Sequence, residues 1–121
     1  MPGILNHVEP SFYNDSGHVD ALQVRDYLHI PTKDMAAIVG KSERRIRQDP
    51  TAESIQPTLQ KLVKIITDLK DLSGGDDRSV RIWLKALHPA LEDESALDLL
   101  RNGEIDLVRE LIDHIQNGGH A

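Results

Sequence analysis

The 121-residue chain contains no cysteine. Disulfides, zinc fingers and thiol catalysis are therefore excluded. Aromatic residues make up only 3% of it against 39% hydrophobic residues, so the apolar material is mainly Leu, Ile, Val and Ala. That composition favours helices packed on helices over a sheet-rich fold. No apolar run is long enough to span a bilayer. The opening "MPGILNHVEP" lacks both the basic region and the apolar stretch of a signal peptide, so a cytoplasmic protein with no membrane partner is expected. Six histidines, His7, His18, His29, His88, His114 and His120, are scattered without the spacing of a helical metal site, and neither a metal nor a cofactor is expected. No Ser/His/Asp arrangement is suggested locally. "GGDD" is faintly similar to a cyclase signature, but the chain is too short for such an enzyme and lacks the strands. The carboxylates of "DESALD" and "EIDLVREL" fall at ion-pairing distance from Arg101 and Arg109 along a helix. The expectation is a protein that binds and does not catalyse.

What is present is charge, unevenly spread. The formal net charge is −6, yet "KSERRIRQD" at residues 41–49 carries four basic side chains and two acidic ones. Residues 20–50 hold six basic and five acidic side chains, whereas residues 76–121 hold five basic and ten acidic. The first half is the basic end and the last third the acidic end, so the two ends are suited to different partners.

Pro, Gly, Asn and Asp break any period in residues 1–18, and residues 1–19 are expected to form an extended N-terminal arm. From Asp20 the pattern turns helical. Ala21, Val24 and Leu28 share a face, and Pro31 stops that segment. Thr32 is the expected cap of a short helix over 33–39, with Met35, Ala36, Ile38 and Val39 apolar and Gly40 suited to a left-handed end. Ser42 caps a third short helix over 43–48, ended by Pro50. A long helix over 57–72 follows, with Pro57 in its first turn. Its seam of Leu59, Leu62, Ile66 and Leu69, widened by Val63 and Ile65, fits either a core helix or a dimer interface. "SGGDD" at 73–77 is the clearest break and the expected boundary between units 20–75 and 76–121. Beyond it, Val80, Trp83, Leu84 and Leu87 form one helical stripe, "HPALEDES" is a loop, and Asp93 is the expected cap of a helix containing Ala96, Leu97 and Leu100. Asn102-Gly103 ends that helix. A last helix presents Ile105, Val108, Ile112 and Ile115 on one face, before the polar tail "NGGHA". The fold class is all-α, with about seven mostly short helices: an N-terminal helix-turn-helix bundle, then a small C-terminal helical unit.

The helices over 33–39 and 43–48, joined at Gly40, have the layout of a DNA-reading helix-turn-helix. Arg is the commonest base-reading side chain because its planar fork matches the two acceptors of guanine. Arg44 and Arg47 share a flank, Arg45 fans to another, and Ile46 and Val39 are the inward anchors. Lys41 and Ser42 are placed for phosphate contacts. With Gln48 these residues form the candidate DNA-binding set. A solvated surface helix would carry similar residues, with Glu43 and Asp49 partly neutralising it.

The segment from about Arg78 to Gly118 resembles the C-terminal toxin-binding domain of the MbcA/ParS/Xre antitoxin family. The matching features are Trp83-Leu84, Pro89, the "LDLLRNGEIDLVRELID" core over 97–113, and Gly118. The N-terminal half is similar in layout to that family's Xre-like helix-turn-helix. The resemblance implies a type II antitoxin that binds and blocks a RES-domain, NAD-degrading toxin. It also implies repression of its own operon through operator DNA, as a homodimer and within a larger toxin–antitoxin hetero-oligomer. The toxin-facing residues it implies are Leu100, Arg101, Gly103, Glu104, Val108, Arg109, Ile112 and the tail Asn117, Gly118, Gly119, His120 and Ala121. Trp83, Leu84 and Leu97 would hold the small domain together. The chain departs from the family pattern where Arg45 replaces a small hydroxyl residue and Gln48-Asp49 stand near an Arg/Trp position. Two alternatives stand beside this one: a stand-alone transcriptional regulator whose C-terminal domain only dimerises, and an antitoxin that has lost DNA binding.

Overall fold

Asp20 starts the first helix seen in the computed structural model, which describes residues 12–118. Its carboxylate accepts from the N–H groups of Leu22 and Gln23 at the head of α1 (Ala21–Leu28). Ala21, Val24 and Leu28 are buried, as their spacing predicts, together with Tyr27. In α2 (Thr32–Val39) the expected Thr32 cap does not form. Pro31 takes the cap position, and the Thr32 hydroxyl instead accepts from Arg25 at 2.8 Å. Gly40, at φ 73°, closes α2, and the Ser42 hydroxyl accepts from the Arg45 N–H to open α3 (Glu43–Gln48). A 3-10 turn at Glu53–Ile55 leads into α4 (Gln56–Leu72), with Pro57 in its first turn.

Residues 12–19, expected to belong to an extended arm, fold onto this bundle. Asn14 to Gly17 make a tight turn, and Tyr13 bridges to Val19. Phe12 and Val19 are buried, and the Phe12 ring meets Tyr27 edge-on at 5.3 Å. The buried amide of Gln56 holds Val19 by both backbone groups, accepting from its N–H at 2.7 Å and donating to its carbonyl at 2.9 Å. The breaker-rich composition signalled the turn, but not the two apolar residues that flank it. The rest of the arm, residues 1–11, lies outside the described residues.

Gly74 and Gly75 both take positive φ, and Asp76 caps α5 (Asp77–Lys85). Val80 and Leu84 are buried and Trp83 packs partly against the core. Leu87 does not continue that stripe, because the helix has ended. It lies in a two-residue strand, β1 (Leu87–His88), paired antiparallel with β2 (Glu94–Ser95), and is 66% exposed. A 3-10 turn at Pro89–Leu91 joins the strands, so the expected loop is a small hairpin. Asp93 caps nothing: it sits at φ 64°, and the cap of α6 (Ala96–Arg101) is Ser95. Ser95 forms a reciprocal capping box with Asp98, which satisfies two helix-end donors at once. Gly103 closes α6, and α7 (Ile105–Gln116) buries Ile105, Val108 and Ile112 while Ile115 stays exposed.

The core of the described residues is built mainly of helices, joined by the hairpin and by Phe12, Val19 and Ile30 from the connecting segments, and the fold is all-α as expected. α4 is its axis. It packs against α7, α5 and α2, and α2 packs in turn against α6. Leu59, Leu62, Val63, Ile65, Ile66 and Leu69 are all buried within the chain. Of the two readings of that seam, it is therefore a core helix. One continuous cluster of buried residues runs from Phe12 to Ile112.

Candidate partner-binding surfaces

The first surface is the exposed side of α3. Ile46 is buried and anchors the helix, while Val39 packs partly buried against the core. Lys41, Ser42, Arg44, Arg45, Arg47 and Gln48 are all exposed. At about 100° per residue, Arg44 and Gln48 lie within about 20° of the direction opposite Ile46, and Arg45 and Arg47 flank them on either side. The structure thus leaves all six candidate residues exposed, four spread around the outer half of α3 and two at its N-terminal end. Arg47 is partly engaged, pairing with Glu43 at 3.3 Å across one turn. Ser42 uses one lone pair of its hydroxyl oxygen to cap α3, which leaves its O–H free to donate to a ligand.

The second surface belongs to α5–α7 and the hairpin, and here the sequence-based set divides. Leu100, Val108 and Ile112 are fully buried and present no surface, which corrects their placement as toxin-facing residues. Their spacing is the inward stripe of α6 and α7, and periodicity alone cannot tell a contact stripe from a core stripe. Arg101 is half-buried and committed inside the chain, to Asp98 one turn back and to Asp34 of α2 at 3.4 Å. Gly103, Glu104, Asn117 and Gly118 are exposed, and Arg109 is half-buried. Gly119, His120 and Ala121 lie outside the described residues. Leu84 and Leu97 are core residues and the Trp83 ring packs against His88 at 4.5 Å with the planes tilted by 42°, as expected for groups that hold this unit together.

Sequence reasoning missed a groove on this surface, between the hairpin loop and α7, with a volume of about 540 Å³. Leu91, Leu99, Leu107 and Leu111 line it, and Glu92, Glu94, Glu104 and Glu110 stand around them. One signal was available: Leu107 and Leu111 form a second apolar pair displaced one residue from Val108 and Ile112.

Several carboxylates nearby are held in place by partners. Burial alone would raise the Asp77 carboxyl, but the Tyr27 hydroxyl at 2.6 Å and Lys70 at 3.0 Å outweigh it and leave it below its ordinary value. Asp98 is lowered by hydrogen bonds from Ser95 and then by Arg101. Arg81 adds to the junction around Tyr27, donating to its carbonyl at 2.8 Å and lying 5.5 Å from its ring centre. Among the described residues no group of three His, Asp or Glu side chains could hold a metal, and no helix is long and apolar enough to cross a membrane.

Residues 68–118 match the family model of the antitoxin Xre/MbcA/ParS C-terminal toxin-binding domain. The match starts in the last turns of α4 and covers α5, the hairpin, α6 and α7. No curated protein and no solved structure matches the chain.

Proposed function

Residues 68–118 match the toxin-binding domain of the Xre/MbcA/ParS antitoxins, and from that premise we propose that the chain is a type II antitoxin of that family. It binds and blocks a RES-type, NAD-degrading toxin in the cytoplasm and represses its own operon. The observation that carries the reading is the matched domain itself, a folded unit of three helices and a hairpin with an exposed face. The toxin-binding face is formed by Glu104, Arg109, Asn117 and Gly118, continued by the tail Gly119, His120 and Ala121. A glycine-rich tail enters a cleft with little steric hindrance but loses entropy on ordering, so the anchoring free energy comes from the folded helices before it.

The DNA-binding role rests on α2, the Gly40 turn and α3, whose six basic and polar side chains are free of the core. Arg44 and Gln48 lie outermost and face base edges. Lys41, Ser42, Arg45 and Arg47 reach the phosphates or adjacent bases. The operator is bound by a homodimer, and the dimer surface lies off the α4 seam, because that seam is already buried.

The two activities should separate. Arg44→Ala combined with Arg47→Ala is expected to cost about 1–3 kcal/mol per lost base contact in promoter binding and to reduce its salt dependence, with toxin neutralisation unchanged. Deleting residues 118–121 is expected to do the reverse. Equal loss of both activities in either variant would refute a two-module antitoxin. Full neutralisation without the tail would refute the plug.

A further inference from the structure

We propose that the groove between the hairpin loop and α7 is the dock for a cationic, apolar segment of the toxin: a stretch bearing large apolar side chains flanked by Lys or Arg. This deepens the antitoxin reading and rests on it.

The apolar part of the argument is the floor. Leu99 is buried at its base, Leu91 and Leu111 are half-buried, and Leu107 is 44% exposed. A groove of about 540 Å³ lies within the range of sites that enclose a ligand's apolar groups, about 300–1,000 Å³. Removing those leucine surfaces from water gives an occupant affinity without requiring any specific hydrogen bond.

Charge selects the occupant. Glu92, Glu94, Glu104 and Glu110 are exposed around the floor, His114 is the one further titratable side chain in the lining, and no Lys or Arg lines the groove. The contrast with the neighbouring carboxylates is informative. Asp77 is engaged by Lys70 and Tyr27, Asp98 by Arg101, and Asp106 by Lys61 at 3.0 Å. Among the described residues, none of the four groove glutamates has an ion-pair partner. Unpaired like charges around an apolar floor repel one another, and a partner carrying cations relieves that repulsion on docking. The same charges reject nucleic acid and anionic lipid. The chain's own ends do not fit: residues 1–11 and 119–121 contain no Lys or Arg. A positively charged protein segment is the class of occupant that satisfies both floor and rim.

The test uses the unsubstituted chain and a RES-domain toxin, sought in the reading frames adjoining its gene, with affinity measured by calorimetry over a series of salt concentrations. Glu104→Gln with Glu110→Gln removes two rim charges. Leu107→Ala trims the floor. Asp71→Asn with Asp113→Asn, exposed and outside the groove, removes the same charge elsewhere. The groove pair is expected to weaken binding at least about tenfold and to flatten its salt dependence. Leu107→Ala is expected to weaken binding without lowering the melting temperature, and the control pair to stay within about twofold of the starting chain. Groove variants that bind as tightly as the unsubstituted chain would overturn the proposal while leaving the antitoxin reading intact. Sedimentation of the chain alone tests the other occupant: if the groove pair dissolves a self-associated species, the groove holds a second copy and the proposal fails. An unsubstituted chain that does not bind the RES-domain protein overturns the antitoxin reading, and this inference with it.

Discussion

Tyr27 ties the two halves of the chain together with one hydroxyl. It is buried in α1, donates to Asp77 at the head of α5 across fifty residues of sequence, and has Arg81 near its ring. Tyr27→Phe keeps the ring and removes the hydrogen bond to Asp77. A hydrogen bond to a carboxylate contributes about 1.5–3 kcal/mol when well enclosed. Asp77 is 39% exposed, so about 1 kcal/mol is expected here. The folded-state carboxyl titrates below its unfolded value, so this contribution is present above the unfolded pKa, about 3.9, and is lost as pH falls through the folded one. Urea unfolding of the two proteins should therefore show a gap at pH 7 that narrows below about pH 4. An unchanged gap across that range would remove Asp77 from the account. No sequence pattern announced this pair, because Tyr27 and Asp77 are neighbours only once α1 and α5 have packed.

At the scale of elements, what could be read depended on how local the signal was. Asp20, Ser42, Gly40, Pro57 and Gly103 mark helix ends by their own chemistry, and the structure uses each of them so. Thr32 and Asp93 were misplaced as caps because Pro31 and Ser95 compete for the same job one or two residues away. Apolar stripes were legible as stripes, but their destination was not. Ile105, Val108 and Ile112 point into the core, while Leu107 and Leu111, one residue out of phase, line the groove. The distinction can be measured. Leu100→Ala should cost about 2–5 kcal/mol of stability, as for other fully buried leucines. Its toxin affinity should match that of the starting chain at temperatures where the variant is still folded. Loss of affinity with stability intact would return Leu100 to the contact surface.

For the molecule as a whole, the uneven charge was the most informative feature of the sequence. The exposed basic side chains of α3 and the glutamates around the groove lie on different elements, as expected of a protein with two unlike partners. Sequence alone did not reach the groove, because its walls come from the hairpin loop and from α6 and α7, and a hairpin was not foreseen there. The continuous core and the Tyr27–Asp77 and Asp34–Arg101 contacts join the α5–α7 unit to α1 and α2. The central claim is that this chain blocks a toxin, and NAD consumption tests it most directly. The proposed toxin, a RES-domain protein sought in the adjoining reading frames, would be assayed with increasing amounts of the purified chain. The account predicts that NAD loss falls to background at a fixed stoichiometric ratio. NAD loss that continues undiminished in excess chain would contradict it.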